Sequence, residues 1–240
     1  MSDNEILRVS GLSAGYGPLR IIHDLDLTVH AGERQGIVGL NGHGKSTLFL
    51  AIAGLTGWQR GSILLHGYEV GGTRSHGPGR HTHRVVRRGL ALMPQGDEIF
   101  HGLSVEEHLD SGAFTRRAWR ERRRRKERVL AIFPPLRALM KTAVGRLSGG
   151  ERRMVCLGRG LMADACLFLV DEPSLGLAPK IGRSVMDALM QIELGDAAMV
   201  IAEQNVNLLA GRVDRIIGMH AGKLKGEASI SLADAVRRES

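Results

Sequence analysis

The sequence predicts an α/β fold: a mostly parallel sheet core covered by helices, with an inserted helical subdomain. Strand-like and helical segments alternate in the first and last thirds of the 240-residue chain, and the stretch from about 96 to 146 has almost entirely helical composition. Strands that alternate with helices form parallel sheets whose faces the helices cover. We therefore expect a single domain, with its core at 1–95 and 147–240 and the helical subdomain at about 96–146.

The first strand–helix unit lies between residues 24 and 53. Apolar and polar residues alternate over 24–30, which is the period-2 pattern of a half-exposed strand. Residues 35–38 are expected to form a buried strand, 39–44 a glycine-rich loop, and 45–53 a helix. A strand, a glycine-rich loop and a helix in this order open a nucleotide-binding βα unit.

The remaining elements continue the alternation on both sides of the helical stretch. Further strands are expected at 63–65, 90–93, 167–170 and 198–202, with a terminal hairpin at 213–219 and 223–225. Helices are expected at 105–128, 151–163 and 180–194. Ser104 precedes the first of these helices as an N-cap, with Glu107 at the spacing of a capping box. The composition of segment 71–83, rich in Gly, His, Ser and Thr, predicts an exposed loop.

Composition excludes several classes of protein. Hydrophobic residues make up 43% of the chain, so a sizeable core is expected rather than disorder. No apolar run approaches the ~20 residues that span a bilayer, and the polar residues 1–5 do not resemble a signal peptide. We therefore expect a cytosolic protein. Cys156 and Cys166 fit a reducing compartment and are expected to pack as small apolar residues.

The basic charge of the chain is local. The net charge is +8, and segment 116–128 alone contributes +7, with nine basic and two acidic residues. Such a patch is a solvated helix face, a contact for anionic lipid headgroups or for loops of a partner protein, or a nucleic-acid site. Trp119 is the only aromatic residue within it, which gives base stacking little support.

The glycine-rich loop carries a phosphate-binding motif. Residues 39–46, Gly-Leu-Asn-Gly-His-Gly-Lys-Ser, fit G-x-x-x-x-G-K-[ST], the P-loop. Backbone N–H groups of such a loop and of the helix that follows surround phosphates, and glycine lets the backbone come close. Lys45 then places a cation at the β- and γ-phosphates, and Ser46 offers a hydroxyl to Mg²⁺. The predicted nucleotide-binding residues of this motif are Gly39, Asn41, Gly42, His43, Gly44, Lys45, Ser46 and Thr47.

Two carboxylates follow the apolar segment 167–170. A buried strand would deliver Asp171 beside the P-loop to hold Mg²⁺, and Glu172 is placed to orient or deprotonate an attacking water. Upstream, Leu-Ser-Gly-Gly-Glu at 147–151 precedes a helix, and Ser148 is expected to cap it, so that the exposed N–H groups form an anion site. A P-loop, this pentapeptide and an apolar strand ending in Asp-Glu form a highly specific combination.

With these motifs the chain resembles the ABC ATPase family over nearly its full length. The resemblance implies a P-loop NTPase fold with an N-terminal antiparallel β portion, and it implies ATP hydrolysis with ATP and Mg²⁺ as ligands. Ser148, Gly149, Gly150 and Glu151 match the family's signature, which binds the γ-phosphate of ATP held by the other subunit. Function then requires a head-to-tail dimer.

Further site residues are carried over from the same resemblance. Tyr16 matches the aromatic residue that stacks on adenine, and Gln95 matches the glutamine that links Mg²⁺ and water to the helical subdomain. Residues 174–177 match the loop that touches the opposite subunit. The implied catalytic set is Glu172, Lys45, Gln95 and Gln204, and the implied Mg²⁺ ligands are Ser46, Gln95 and Asp171.

Three places depart from the family pattern. His43 stands where a small residue is common, and one interpretation is that its ring points to solvent. Arg152 and Arg153 follow the signature in place of a glutamine-rich continuation. Gln204 occupies the switch, where many members have histidine. Its amide can bond a γ-phosphate but does not titrate near neutral pH, so a weaker dependence of activity on pH is expected from this position.

Residues 171–179 and 203–205 resemble the ATPases of branched-chain amino acid uptake systems, a group that includes urea and short-amide importers. This resemblance implies transmembrane permease subunits, a second ABC ATPase subunit and, indirectly, an extracytoplasmic solute-binding protein. It also implies a peripheral location on the cytoplasmic face of the inner membrane. Residues 147–153 resemble the ATPase of lipopolysaccharide export as well, which is the second candidate. The third is a soluble ABC-type ATPase that acts on nucleic acid.

His76, His81 and His83 allow two interpretations. Three histidines in one segment are compatible with a metal site. Segment 71–83 contains no Cys, Asp or Glu, however, and is rich in glycine, which favours a flexible surface insertion.

Overall fold

The computed structural model describes residues 4–71, 75–76, 82–96 and 98–227. The chain divides into two compact units. The first comprises Met1–Leu92, Cys166–Asp171 and Leu194–Ser240, and the second comprises Met93–Ala165 and Glu172–Glu193. The domain limits derived from composition stay a prediction.

Strands and helices alternate along the chain as the sequence predicts. The strands are β1 (Glu5–Tyr16), β2 (Leu19–His30), β3 (Arg34–Val38), β4 (Trp58–Leu65), β5 (Tyr68–Gly71), β6 (Ser75–His76), β7 (Leu90–Met93), β8 (Leu167–Asp171), β9 (Ala198–Glu203), β10 (Arg215–His220) and β11 (Lys223–Glu227). The helices are α1 (Lys45–Ile52), α2 (Thr82–Arg87), α3 (Val105–Ser111), α4 (Arg116–Arg120), α5 (Arg122–Ile132), α6 (Gly149–Leu161) and α7 (Pro179–Met190). Short 3₁₀ helices lie at Pro134–Leu139, Val144–Arg146 and Val206–Leu208.

An antiparallel sheet forms one part of the first unit. Its order is β2-β1-β4-β5, with β6 paired to β4. The central strand β1 has no counterpart among the predicted strands. Its pairing with β2 shifts register on both sides of Leu12, and its buried residues do not alternate strictly. A bulge of this kind hides the period-2 pattern that identifies a strand.

The second sheet of the first unit is the predicted parallel core. Its order is β11-β10-β3-β9-β8-β7, and the four consecutive strands β10, β3, β9 and β8 run parallel to one another, whereas β11 is antiparallel to β10. Every residue of β8 and β9 is buried, as parallel strands covered on both faces require. The strands predicted at 35–38, 90–93, 167–170 and 198–202 are each confirmed to within one residue at either end. The terminal hairpin is confirmed as β10 and β11.

In the second unit, the helix predicted at 105–128 is three helices, α3, α4 and α5. α3 ends before Gly112, where a side chain would collide with the carbonyl group of Arg159. Thr115 then caps α4 with its side-chain oxygen. Glu121, with φ −95° and ψ 4°, separates α4 from α5. Composition predicts the helical content correctly but does not reveal these interruptions, which depend on the cap at Thr115 and on the backbone conformation of Glu121.

The N-terminus of α3 is as predicted. The hydroxyl of Ser104 accepts a hydrogen bond from the N–H of Glu107, and the Glu107 carboxylate accepts one from the N–H of Ser104 at 2.8 Å. This reciprocal pair satisfies N–H groups that the start of a helix otherwise leaves unbonded. Hydrogen bonds that the Glu107 carboxylate accepts from the Ser104 hydroxyl and then from the Ser104 N–H lower the pKa of the Glu107 carboxyl. The helices predicted at 151–163 and 180–194 are confirmed as α6 and α7, which begin one or two residues earlier than expected.

Segment 71–83 differs from the exposed loop that its composition predicts. β6 pairs with β4 inside this segment, and α2 contains His83. Residues 72–74 and 77–81, His81 among them, lie outside the described part of the chain. Composition favoured a loop because the pairing of β6 depends on a strand remote in sequence.

The described residues contain neither a metal-binding cluster nor a membrane-spanning helix. Among the described residues, no group of His, Cys, Asp and Glu is arranged to hold a metal ion. No helix within those same residues is long and apolar enough to cross a bilayer. Cys156 is buried and Cys166 half-buried, and neither is part of a disulfide.

Candidate nucleotide-binding site

The P-loop begins where β3 ends. Gly39 follows β3 directly and lies against Met219 of β10. A Cβ on Gly39 would collide with the carbonyl oxygen of Met219, so a larger residue does not fit. Gly44, where the loop becomes α1, has a φ of 101°, a left-handed conformation that glycine adopts without strain. Glycine is therefore required at both ends of the loop.

Lys45, the first residue of α1, is 3% exposed. Its Nζ donates hydrogen bonds to the carbonyl oxygens of Gly39 at 2.7 Å and Leu40 at 3.3 Å. These bonds fold the side chain back over the loop, so that the ammonium group lies beside the backbone predicted to surround phosphates. A cation at this position attracts phosphate oxygens as a compact point charge.

The N-terminus of α1 adds partial positive charge to the same place. Its first helical bond runs from the N–H of Leu48 to the carbonyl oxygen of Gly44 at 2.8 Å. The N–H groups of Lys45, Ser46 and Thr47 lie at the start of the helix, where no earlier turn supplies a carbonyl oxygen to accept their hydrogen bonds. These N–H groups and the helix dipole favour an anion. Ser46 lies half-buried in this turn.

Three parallel strands end at the same edge of the sheet as the loop. Glu203, the last residue of β9, is in register with the last residue of β3, and Asp171 of β8 is in register with Ala202. Because the carboxyl ends of parallel strands meet at one edge, the P-loop, Asp171 and Gln204 all follow or end strands at that edge. The N–H of Gly39 also donates to the carbonyl oxygen of Glu203 at 3.3 Å, which ties the loop to the switch segment.

Asp171 provides a carboxylate beside the P-loop helix. It is 3% exposed at the end of β8, and α1, which carries Ser46, packs against β8. Carboxylate and hydroxyl oxygens are ligands of the kind that Mg²⁺ prefers in proteins that bind nucleotides. The donor set of the first unit therefore fits magnesium.

His43 does not point to solvent, so that interpretation of the sequence is wrong. Its ring is half-buried, with Nδ1 at 3.1 Å from the carbonyl oxygen of Met219. The ring also meets His220 edge-on, with the two ring centroids 4.6 Å apart. The carbonyl oxygen of His43 accepts a hydrogen bond from the N–H of Gly222 at 2.9 Å. These contacts join the middle of the P-loop to the hairpin of β10 and β11.

Tyr16 and Gln204 are the other predicted nucleotide-site residues of the first unit. Tyr16 ends β1 in the antiparallel sheet and is 39% exposed, which leaves part of its ring accessible for stacking. Partial burial raises the pKa of its phenol group. Gln204 is exposed immediately after β9, and its N–H donates to the carboxylate of Glu203 at 3.3 Å.

The second unit carries Gln95 and Glu172. Gln95 is exposed, and Gly96 after it has a φ of 86°. Glu172 is 3% exposed and has a φ of 44°, a left-handed conformation that costs a non-glycine residue roughly 1–2 kcal/mol. Such a conformation persists only where surrounding structure enforces it. The carbonyl oxygen of Glu172 accepts a hydrogen bond from the N–H of Leu175 at 3.1 Å, which closes a turn after the residue.

The signature segment forms the capped start of α6. The Ser148 hydroxyl accepts from the N–H of Glu151, and the Glu151 carboxylate accepts from the Ser148 N–H at 2.8 Å and from its hydroxyl at 2.7 Å. These bonds lower the pKa of the Glu151 carboxyl. The Glu151 side chain therefore fixes the position of Ser148. Gly150 packs against α7, where an added Cβ would lie 2.9 Å from Ile181.

The predicted site residues divide between the two units. The first holds Tyr16, Gly39, Asn41, Gly42, His43, Gly44, Lys45, Ser46, Thr47, Asp171 and Gln204, and the second holds Gln95, Ser148, Gly149, Gly150, Glu151 and Glu172. Within the first, the described contacts join the P-loop to the end of β9 and to the β10–β11 hairpin. The roles assigned to individual residues stay predictions.

Sequence reasoning noted Arg153 as a departure from the family pattern but assigned it no role. It is 2% exposed in α6 and is surrounded by backbone carbonyl oxygens of other segments. A signal was present, because Arg153 lies three residues before Cys156 and four before Leu157, both buried. A cation on the apolar face of a helix needs partners.

The basic segment 116–128 is partly neutralised. Carboxylates outside the segment pair with its residues: Arg125 donates to Asp164 at 2.8 Å, and Lys126 donates to Glu106 at 2.8 Å and Asp110 at 2.9 Å. These three carboxylates lower the charge of the patch from +7 to about +4. The side chains of Arg125 and Lys126 are only 13% and 12% exposed, so these two cations are held against their carboxylates rather than presented to solvent.

The motifs occur in an order that known proteins share. The family described as "ABC transporter" matches residues 22–175 of the chain, from the antiparallel sheet to the turn after Glu172. This chain belongs to the ABC transporter family. The resemblance inferred from the P-loop, the signature and the Asp-Glu pair is confirmed.

Relatives within the ABC transporter family agree with the inferred subgroup. The high-affinity branched-chain amino acid transport ATP-binding protein BraG of Pseudomonas aeruginosa is 33% identical over 91% of this chain and 91% of its own length. The probable branched-chain amino acid transport ATP-binding protein LivF of Archaeoglobus fulgidus is 35% identical over 84% of this chain and 82% of its own. The lipopolysaccharide export system ATP-binding protein LptB of Haemophilus influenzae is 28% identical over 91% and 88%.

Solved ABC transporter structures confirm the fold. The ATP-binding subunit of an ABC transporter superposes with a TM-score of 0.77 at 25% identity, covering 98% of this chain and 92% of the other. CbiO1 of Clostridium perfringens superposes with a TM-score of 0.79 at 22% identity, covering 98% and 94%. The α/β P-loop NTPase fold with its antiparallel β portion is therefore established, and the chain is an ATP-binding subunit of an ABC transporter and an ATPase.

Proposed function

We propose that this ATPase powers the uptake of branched-chain amino acids, or of related small polar solutes such as urea or short amides, through separate permease subunits. One observation supports the energy-converting role above others: the buried Lys45 ammonium group lies over the P-loop backbone at the N-terminus of α1. The transport names of BraG and LivF support the choice of solute class.

The residues of the chain divide the work of phosphoryl transfer. Lys45 and the N–H groups at the start of α1 hold the β- and γ-phosphates of ATP and offset the charge that develops on them. Ser46, Asp171 and Gln95 would hold Mg²⁺, which supplies charge neutralisation between the β- and γ-phosphates. Glu172 orients and deprotonates the attacking water, and Gln204 bonds the γ-phosphate as a neutral amide. Tyr16 stacks on adenine.

A second ABC ATPase subunit completes each site in this proposal. The N-terminus of α6, with Ser148, Gly149 and Gly150, closes over the γ-phosphate held by the opposite subunit, in a homo- or heterodimer. The helix dipole of α6 supports this role, because it favours an anion near Ser148, whose position Glu151 fixes. The loop 174–177, whose Leu175 is 42% exposed, touches the opposite subunit.

The dimer lies at the cytoplasmic face of the inner membrane, bound peripherally to its permease subunits. Closure of the dimer on ATP moves the helical subdomain, which pushes a cytoplasmic helix of the permease. Hydrolysis and phosphate release reopen the dimer. An extracytoplasmic solute-binding protein delivers the solute to the permease and does not touch this chain.

Reconstitution tests the proposal directly. The intact membrane complex is isolated through a tag on this chain, its other subunits are identified, and ATP hydrolysis and solute entry are measured in proteoliposomes. We expect ATP-dependent accumulation of leucine, isoleucine, valine or a short amide, with a basal ATPase rate that rises in the complex. An ATPase that runs equally fast with and without permease, and no entry of any of these solutes, would refute it.

The lipopolysaccharide exporter remains the second candidate because LptB is similar over most of both chains. The same isolated complex separates the two. Permease subunits that extract lipid from vesicles, with no uptake of amino acids or amides, would favour the exporter.

The nucleic-acid alternative receives less support. The basic patch is reduced to about +4, and the guanidinium group of Arg122 covers the Trp119 ring at 4.3 Å from its centroid. We expect no gel shift with DNA or RNA at low salt. A salt-dependent shift would revive this alternative.

A further inference from the structure

Arg153 links segments that the proposed mechanism treats separately. It lies on α6, in the turn after the signature residues, and its side chain is 2% exposed. Its guanidinium group donates hydrogen bonds to four backbone carbonyl oxygens among the residues that the structure describes. Nη1 donates to Pro94 at 3.1 Å and Gly96 at 2.6 Å, Nη2 donates to Glu172 at 3.0 Å, and Nε donates to Pro173 at 3.1 Å.

The acceptors flank the two side chains proposed to act on water and magnesium. Pro94 and Gly96 are the residues on either side of Gln95, so one nitrogen holds the backbone at two carbonyl groups that flank this glutamine. The other two carbonyl groups belong to Glu172 itself and to the proline that follows it. The planar guanidinium group of Arg153, whose donors lie at fixed angles, therefore restrains the backbone next to both Gln95 and Glu172.

The backbone conformation of Glu172 explains why it needs hydrogen bonds that restrain it. Its φ of 44° is left-handed, and the next residue is proline, which restricts the backbone before it. A residue keeps a strained backbone conformation only when contacts with the surrounding structure enforce it. Two of the four bonds from Arg153 end on the carbonyl groups that immediately follow this strained φ.

We infer that Arg153 is a positioning residue: it places Gln95 and Glu172 for hydrolysis without touching ATP. This inference rests on the roles proposed above for those two residues. The buried cation would be costly without its carbonyl partners, so the four bonds also keep the signature helix, the Gln95 segment and the Glu172 turn in one arrangement. Lysine cannot replace Arg153, because its single ammonium nitrogen cannot reach all of the carbonyl oxygens that the three guanidinium nitrogens bond.

The test compares Arg153→Lys and Arg153→Ala with Arg128→Lys in the full-length protein. Arg128 is the matched control, since it is an exposed arginine that donates to one backbone carbonyl, that of Glu193 at 3.5 Å. We expect Arg153→Lys to lower kcat for ATP hydrolysis roughly tenfold to a hundredfold, the loss typical of a misplaced catalytic group. The Kd for ATP should stay within about twofold, because the P-loop residues are unchanged. Arg128→Lys should leave both values unchanged.

Chemical rescue distinguishes positioning from simple loss of structure. Ethylguanidinium added to Arg153→Ala should recover part of kcat, whereas ethylammonium at the same concentration should not. If Arg153→Ala is recovered only as unfolded protein, the kcat of Arg153→Lys alone tests the positioning role. A kcat for folded Arg153→Lys equal to that of the unaltered protein would overturn the inference, and so would an Arg153→Lys protein that cannot fold, since the role would then be purely structural.

A double substitution separates this inference from the proposed function. If Glu172→Gln stalls hydrolysis, adding Arg153→Lys should lower the residual rate by a smaller factor than it lowers the rate of the unaltered protein, because the part of its effect that passes through Glu172 is already lost. Normal hydrolysis by Glu172→Gln would refute the proposed role of Glu172. Stalling by Glu172→Gln together with a full rate for Arg153→Lys would refute only the positioning role of Arg153.

Discussion

Gly39 and Met219 lie so close together that a single added carbon on Gly39 would collide with the Met219 carbonyl oxygen. The contact joins the first residue of the P-loop to β10. It explains why the first position of the phosphate-binding motif is glycine in this chain, independently of any contact with nucleotide.

Gly39→Ala should therefore displace the P-loop from β10. Overpacking of this kind costs about 1–3 kcal/mol, and the displaced backbone N–H groups should bind ATP more weakly. Thermal unfolding and ATP titration measure the two effects. Gly218→Ala is the control, because a Cβ there meets no atom within 4 Å. An unchanged melting temperature together with unchanged ATP affinity in Gly39→Ala would contradict the prediction.

Lys45→Ala should abolish most ATP hydrolysis, since it removes the cation that lies over the loop. Loss of one preorganised group that stabilises transition-state charge lowers kcat by about 10²–10³. Phosphate release from the purified protein measures the rate, with the exposed Lys225→Ala as a control for loss of positive charge. Retention of the full rate in Lys45→Ala would mean that this loop is not the catalytic phosphate site.

Glu172→Gln should keep ATP binding and stall turnover, because the amide cannot take a proton from water. The uncleaved ATP should then hold two subunits together, which size-exclusion chromatography with and without ATP detects as a dimer. Glu127→Gln, at an exposed surface ion pair with Arg137, is the control and should behave as the unaltered protein. Normal hydrolysis by Glu172→Gln would exclude it as the catalytic carboxylate.

The parts of this molecule that the sequence predicts well are those whose determinants are local. The capping box of Ser148 and Glu151 and the glycine pattern of the P-loop each depend on residues within one short segment. β1 was not predicted, because register shifts around Leu12 break its alternation. The need for glycine at 112 likewise depends on a carbonyl group of another helix, that of Arg159. Arg153 shows the same limit, since its four acceptors come from two segments remote in sequence.

His108 gives the fold a predictable dependence on pH. Its ring is fully buried at the end of α3, and Nε2 accepts a hydrogen bond from the N–H of Phe100 at 3.3 Å, which requires that nitrogen to carry no proton. Burial, and then the positive charge of Arg159, lower the pKa of His108 from 6.5 to about 4. The folded state therefore binds fewer protons at this residue than the unfolded state between these two values.

The sign of the effect follows from linkage. Since the unfolded chain takes up a proton below about pH 6.5 and the folded chain does not, stability is complete above that pH and falls as the pH decreases towards about 4. The loss is on the order of 3 kcal/mol, because each unit of pKa difference corresponds to about 1.4 kcal/mol. Urea unfolding at pH 7.5 and pH 5 measures the part that develops by pH 5, about 2 kcal/mol, because pH 5 lies about 1.5 units below 6.5. His108→Gln keeps an acceptor but does not titrate, so its stability should vary less between those conditions, and an equal pH dependence in both proteins would show that another group is responsible.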